Sequence, residues 1–233
     1  MTSITLKDGT GWPLNTAYNG DCLEFMKSLP DNCIDLVLTD PPYGIGADKK
    51  HSEPVKQSKH SATESTGFKN KEWDSVIPED DVFNEIFRIS KHQIIWGVNY
   101  FTDKRMRGGR IYWDKCVTMP TYSDGEIAFC SKLNSIIYFK HAWHGMLQQN
   151  MKNKEVRIHP TQKPLRLFKW CLEKYAPENA IVFDPFLGSF TTAVACHNYG
   201  LNWLGCEKDA DYFKAGLNRY NMEKEQILME FDQ

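Results

Sequence analysis

An apolar run from Ile34 to Thr39 ends on Asp40-Pro41-Pro42-Tyr43. The prolines carry no N–H and cannot donate a hydrogen bond. Pro42 also pushes Pro41 into an extended conformation, which fixes the direction of the Pro41 carbonyl. The result is a rigid cluster of acceptors, the Asp40 carboxylate and the Pro41 carbonyl, beside the aromatic face of Tyr43. A planar amine with two hydrogens, attached to a ring, satisfies such a cluster. The amine meets the acceptors and the ring stacks on Tyr43. The exocyclic amines of adenine and cytosine have that form. A rigid strand-to-loop turn is the plain alternative, and Asp-Pro alone would be read that way. The full quartet at a strand end favours the chemical reading.

A second stretch, VFDPFLGSFTT, runs from an apolar strand into Asp184, then a turn with Gly188, then a helix opening on Ser and Thr. Glycine lets backbone approach a ligand closely, and a helix N-terminus presents free N–H groups. The stretch has neither the G-x-x-x-x-G-K of a phosphate loop nor the G-x-G-x-x-G of a dinucleotide site. The next strand, NWLGCE, ends on Glu207, where an acid can accept both hydroxyls of a ribose. The pattern suits a nucleoside-bearing cofactor without a pyrophosphate. A tight turn and a surface acid explain the same residues without a ligand.

Strands must alternate with helices to deliver these acids to one edge. GDCLEFMKSLPDN reads as a short helix capped by Asp21 and stopped by Pro30, with Leu23, Met26 and Leu29 at three-residue spacing. CIDLVLTD, HQIIWGVNYF, GRIYWDK, AIVFD and NWLGCE read as strands. GEIAFCS and NSIIYFK are shorter strands that could form a hairpin. DDVFNEIFRIS is helical, with Phe83, Ile86 and Phe87 on one face. KPLRLFKWCLEKYA is a helix with Pro164 in its first turn, SFTTAVACHNYG is one ended by Gly200, and the tail from Asp209 is a charged amphipathic helix. Residues 48–72 are polar and aperiodic and read as a mobile loop. The pattern is an α/β sheet, mostly parallel, with helices on both faces. Such sheets bind ligands at the carboxyl ends of their strands.

The chain has 233 residues and a formal net charge of −2, so no global basic field advertises a nucleic acid. The charge is unevenly spread. Lys132 to Lys174 holds nine Lys or Arg and two acids, a local +7 that leaves −9 for the rest. That asymmetry suggests a face for a polyanion, or a solvated basic surface. The seven cysteines include no C-x-x-C pair, which fits reduced, buried thiols in the cytoplasm and argues against a disulfide framework or zinc site. His141 and His144 lack further ligands nearby, so no metal is expected. No signal peptide or membrane-length apolar run is present.

DPPY, DPFLGSFTT, HPTQKP (His159 to Pro164), RIYWDK and NGDCLEFMKSLPDNCIDLVLTDPPYG together resemble the S-adenosylmethionine-dependent DNA amino-methyltransferases. The likeness covers most of the chain apart from 48–72 and parts of 132–158. Its order, catalytic motif before cofactor motif, is that of the beta class. The resemblance implies one domain over 1–233: a catalytic part at 1–117 and 159–233, and a small target-recognition region at about 118–158, largely inside the +7 segment. It implies a Rossmann-like seven-stranded methyltransferase sheet with one reversed strand. It implies catalysis by Asp40, Pro41, Pro42 and Tyr43, with S-adenosylmethionine held by Asp21, Asp40, His159, Lys163, Asp184, Phe186, Gly188, Ser189 and Glu207. Of these, His159 and Lys163 would lie by the methionine part and Asp21 by the adenine. The substrate would be double-stranded DNA, in a restriction-modification setting, and a homodimer is in keeping with the family. By the same resemblance, Asp at position 40 favours N6 of adenine, with N4 of cytosine as the alternative. Lysines of 48–72, with Arg105, Arg107 and Arg110, are candidates for phosphate contacts.

The family's F-x-G-x-G departs here to Phe186-Leu187-Gly188-Ser189-Phe190. The Phe190 side chain either points away from the cofactor or weakens its binding. The second outcome would suit a non-catalytic DNA-binding module. A nicotinamide dehydrogenase is disfavoured by the missing glycine fingerprint, and the basic segment does not separate DNA from RNA.

Overall fold

The computed structural model describes residues 2–46, 74–116, 118, 123–144 and 147–231, with side chains to residue 226. The segment expected to be a loop, 48–72, lies outside the described residues. The chain opens with β1 (Ser3–Thr5) and β2 (Gly11–Pro13), an antiparallel pair, then β3 (Thr16–Asn19) and α1 (Cys22–Ser28). Next come β4 (Ile34–Thr39), α2 (Asp80–Ile89), β5 (Ser90–Trp96), β6 (Arg110–Asp114), β7 (Gly125–Cys130) and β8 (Ile136–Lys140). A two-residue pair, β9 (Trp143–His144) and β10 (Leu147–Gln148), precedes α3 (Leu165–Tyr175), β11 (Ile181–Asp184), α4 (Thr191–Asn198), β12 (Asn202–Glu207) and α5 (Ala210–Phe231).

The main sheet has eight strands in the order β3-β12-β11-β4-β5-β7-β6-β8, not the seven expected. Seven of them run parallel and β7 alone is reversed, pairing antiparallel with β5 and β6. The hairpin expected between β7 and β8 does not form. β6 lies between them, antiparallel to β7 and parallel to β8. Strand patterning marks which segments are strands and which of their residues face the core, as the alternation in β6 and β8 does, but it does not name the neighbouring strand.

β4 runs on through α2 to β5 on one side, while β11 runs through α4 to β12 on the other. The order therefore reverses between β4 and β11, and a crevice opens there at the carboxyl edge. Alternation along the strands divides the core. Leu36, Leu38, Ile94, Trp96 and Trp113 face α3, α4 and α5, whereas Val37, Ile95, Phe183 and Leu204 face α1 and α2. In α1 the buried stripe is Cys22, Phe25 and Met26, with Leu29 beyond, while Leu23 is only half-buried. The expected strand HQIIWGVNYF stops at Trp96, because Gly97 turns left-handed (φ +72°) into a short 3₁₀ turn, Val98–Tyr100. Pro164 caps α3 from outside its first turn. Five of the seven cysteines are buried, Cys33 is half-buried and Cys116 is exposed. No described helix is long and apolar enough to cross a membrane.

Phe190 has a left-handed backbone, φ +60°, that costs a bulky residue about 1–2 kcal/mol. The ring is fully buried, edge-on to Trp203 (6.1 Å) and Phe213 (5.8 Å). Gly216 of α5 makes room for it, since a Cβ there would collide with the ring. The side chain therefore points into the core, away from the crevice, and its burial offsets the strain.

Gly216→Ala should destabilise the chain by about 1–3 kcal/mol through overpacking. In a Phe190→Ala background the same change should stabilise it, by filling space and by the better helix propensity of Ala. Urea denaturation of the four proteins checks this reversal of sign.

Candidate active site

The Asp40–Tyr43 cluster hangs from the end of β4. Thr39 donates to Asp184 Oδ1 (2.7 Å), which joins the ends of β4 and β11 at the switch point. After the prolines, the N–H groups of Tyr43 (2.6 Å) and Gly44 (3.0 Å) both donate to Asp74 Oδ1, and Gly46 N–H donates to the Asp74 carbonyl (3.0 Å). Asp74 is buried and fixes the turn that aims Tyr43. The Tyr43 ring stacks on Tyr100 at 4.7 Å and 16°, with Phe101 edge-on at 6.3 Å. Gly97 lies against the same ring, where a Cβ would clash, so the left-handed turn before Tyr100 also clears space for Tyr43.

Asp40 sits in a chain of alternating charges. Its Oδ2 accepts from Lys163 Nζ at 2.5 Å, and its Oδ1 accepts from the Tyr43 hydroxyl. Lys163 also pairs with Glu126 Oε2 at 3.1 Å, and Glu126 Oε1 pairs with Lys115 at 2.5 Å. Side-chain exposure is 6% for Lys163, 16% for Asp40 and 18% for both Glu126 and Lys115. Burial opposes the charge on Glu126, yet Lys163 and Lys115 outweigh it and hold its carboxyl down to about 2. Burial pushes Asp40 up; Lys163 pulls against that while the like charge of Glu126 adds to it. Burial pushes the Tyr43 hydroxyl well up, reinforced by Asp40 and Glu126, so it stays a donor.

Across the crevice, Asp184 is turned inward. It accepts from Thr39, from Thr192 at 2.5 Å and from Phe186 N–H at 3.0 Å, and so shapes the following loop. Burial raises it to about 6 against those hydrogen bonds. Glu207, at the end of β12, accepts from Gly188 N–H and Asp209 N–H, both at 2.8 Å, and burial raises it to about 7. The His159 ring lies over Gly188, 3.7 Å from where a Cβ would stand, and edge-on to Tyr212 at 4.4 Å. Ser189 shares a hydrogen bond with Thr191 (3.0 Å), and its carbonyl accepts from Arg219 (2.9 Å), which also reaches Glu155 (3.2 Å). Phe186 packs against the α1 side of the core. Asp21 caps α1 through Leu23 N–H and pairs with Lys208 at 3.1 Å, beside Glu207.

The predicted residues thus gather along one edge: Asp40 and Tyr43 on one bank, Asp184, Gly188, Ser189 and His159 on the other, and Glu207 with Asp21 at the far end. Lys163, expected beside the cofactor's methionine part, instead has its ammonium on Asp40. Sequence reasoning missed Glu126, Lys115, Asp74 and Tyr100. A lone acid at the head of the apolar strand GEIAFC was the available signal for Glu126. Of the predicted phosphate contacts, Arg105 is paired with Asp103 and lies over Phe87, and Arg110 donates to the carbonyls of Met106, Gly108 and Gly109. Arg107 is exposed.

Asp184 and Glu207 both hold protons more tightly in the fold than their ordinary values of 3.8 and 4.5. Between those values and pH 7 the folded chain binds more protons, so their contribution to stability falls as pH rises. Glu207→Gln removes its share, about 3 kcal/mol for a shift of this size. The stability of this variant relative to the parent should therefore climb from pH 4.5 to 7.5. Urea denaturation at several pH values, without ligand, measures it; a constant difference would refute it.

The family model for DNA methylases matches residues 79–218, more than half of the chain. The type II methyltransferase M2.MboI of Moraxella bovis is 28% identical over 257 residues, covering 93% of this chain and 91% of its own. M.HinfI of Haemophilus influenzae is 25% identical over 253 residues, covering 88% and 68%. The fold is shared with the M1.HpyAVI–SAM complex (TM-score 0.51, 23% identity, 88% of this chain and 98% of that one). It is also shared with the cytosine-N4-specific PvuII DNA methyltransferase (TM-score 0.56, 17% identity, 88% and 86%). The chain belongs to the S-adenosylmethionine-dependent DNA amino-methyltransferases, the DNA methylase family.

Proposed function

We propose that the chain methylates the N6 amine of adenine in DNA. The observation that carries this is the juxtaposition at the switch point: the Asp40 carboxylate and the Tyr43 ring stand across from a glycine-bearing loop whose Gly188 N–H is held by Glu207. The crevice fits S-adenosylmethionine in the chemistry of its lining. Asp40 and Glu207 place carboxyl acceptors along the edge, which suits a ligand with ammonium and hydroxyl donors. Gly188 keeps the loop free of a side chain under His159, and Glu207 retains lone pairs for a ribose diol. Phe190 faces the core, so the feature that would motivate a binding-only module does not obstruct this loop.

When bound, S-adenosylmethionine supplies an electrophilic methyl group, so no nucleophilic side chain is required. The target amine is tied up in base pairing inside a duplex, so the base must leave the helix. Tyr43 stacks on it, with Tyr100 bracing the ring. Asp40 and the Pro41 carbonyl accept the two amine hydrogens and turn the nitrogen lone pair toward the methyl, and the methylated nitrogen sheds its surplus proton after transfer. Positioning and fixed charge supply the rate. The same acceptors would hold N4 of cytosine, and Asp at position 40 is what favours adenine. DNA contacts fall to the 118–158 region, where Lys140, Lys152 and Lys154 are exposed. Lys163 is consumed by the interior ion chain, and Lys132 donates to the Tyr175 carbonyl at the end of α3. The seven free thiols suit the cytoplasm.

Labelled methyl from S-adenosylmethionine should appear in N6-methyladenine after DNA digestion. Asp40→Ala should lower the rate by at least about 10²-fold. Label in N4-methylcytosine would change the base and keep the chemistry; no label on varied DNA would overturn the proposal. DNA affinity should fall steeply with salt. Lys152→Ala with Lys154→Ala should flatten that dependence by about 0.9 in log–log slope for each phosphate that is no longer neutralised.

A further inference from the structure

Holding an amine between Asp40 and Pro41 does not call for a buried lysine. Yet Lys163, the least exposed member of the cluster, is aimed at the catalytic carboxylate from the turn before α3. Nor does it call for a second carboxylate, yet Glu126 enters from the head of β7 and takes the same ammonium. Lone buried charges are costly, and a buried carboxylate without a partner takes up a proton. A protonated Asp40 would donate where the reaction needs an acceptor. Lys163 opposes that protonation, and Glu126 favours it.

Resting on the reading of Asp40 as the amine acceptor, we propose that Lys163 and Glu126 are positioning residues acting through Asp40. Lys163 holds its carboxylate charged and aimed. Glu126 shares the lysine, so that the hold on Asp40 is partial and a lone-pair site stays open to the incoming amine. The Tyr43 hydroxyl, within 3.3 Å of both Glu126 Oε2 and Lys163 Nζ, ties the stacking ring to the same unit. Among the described residues, the charged and titratable groups facing Asp40 are Lys163, Glu126 and Tyr43. Asp184 acts from across the crevice, and Lys115 acts behind Glu126.

The two residues pull Asp40 in opposite directions, so their removal must act with opposite signs. The full-length protein is labelled with ¹³C at aspartate carboxyls and titrated by NMR, with Asp40→Asn identifying the signal. Lys163→Met should move the Asp40 midpoint up by about 1 pH unit or more, and Glu126→Gln should move it down. Lys163→Arg, which keeps the charge, should restore it. The acid limb of kcat/KM for methyl transfer should shift with the same signs, which a merely structural role would not produce. Midpoints that stay put, or move the same way in both variants, overturn the proposal. Glu126→Gln, nearly isosteric, supplies the decisive sign if Lys163→Met does not fold. Should methyl transfer survive in Asp40→Ala while the midpoints shift as stated, the function assigned to Asp40 fails and the charge coupling stands. Should transfer vanish while the midpoints hold still, only the coupling fails.

Discussion

A carboxylate at the end of a buried strand, paired with a buried lysine, is the interaction around which the carboxyl edge of this sheet is organised. Asp40 emerges from β4, whose residues from Leu36 to Thr39 are wholly buried, into a crevice with little water to solvate it. Its charge is stabilised by Lys163, which arrives from a distant part of the chain, 123 residues away. Four groups of alternating sign then lock together, and taking Lys163 away leaves the Asp40 carboxylate buried without a counter-charge, a loss of about 3–5 kcal/mol. The reversal of β7 follows from the same need. Its first residues start at the carboxyl edge, so a strand running against the others still delivers Glu126 to the site.

The other bank is built by neutral means. Asp184 faces inward and spends its acceptors on two hydroxyls and an N–H, binding β4, β11 and α4 into one corner. Glu207 holds Gly188 by its amide, which presents the loop edge-on to the crevice. Phe190 relocates what is usually a glycine's task. The backbone keeps the left-handed turn and the ring fills a hollow left by Gly216, so the glycine has in effect moved from the loop to the helix packed beneath it.

Much of this was legible in the sequence because the informative residues are local. Asp40 with its prolines, Asp184 with Gly188, and Glu207 each stand at the end of an apolar run, and alternating strands and helices imply a common edge. The partners of those residues were not legible. Glu126 and Lys115 carry no local pattern, and Asp74 meets Tyr43 only because the chain returns to that point. The +7 segment misled in part, since Lys163 counts toward it but points inward. Strand pairing escaped for a related reason: β6, β7 and β8 are each readable, but nothing in their patterning says that β6 lies in the middle. β1, β2, β9 and β10, two or three residues each, are too short to show any alternation.

The Asp74 clamp has a consequence for how such a protein can change over time. Gly46 N–H meets the Asp74 carbonyl at 3.0 Å, so two points distant in the sequence are pinned to each other beside Tyr43. Closing a longer excursion between fixed ends is inexpensive, about 0.6 kcal/mol for each doubling of its length. The stretch between Gly46 and Asp74 can therefore be lengthened, shortened or exchanged as a cassette while the aim of Tyr43 is preserved.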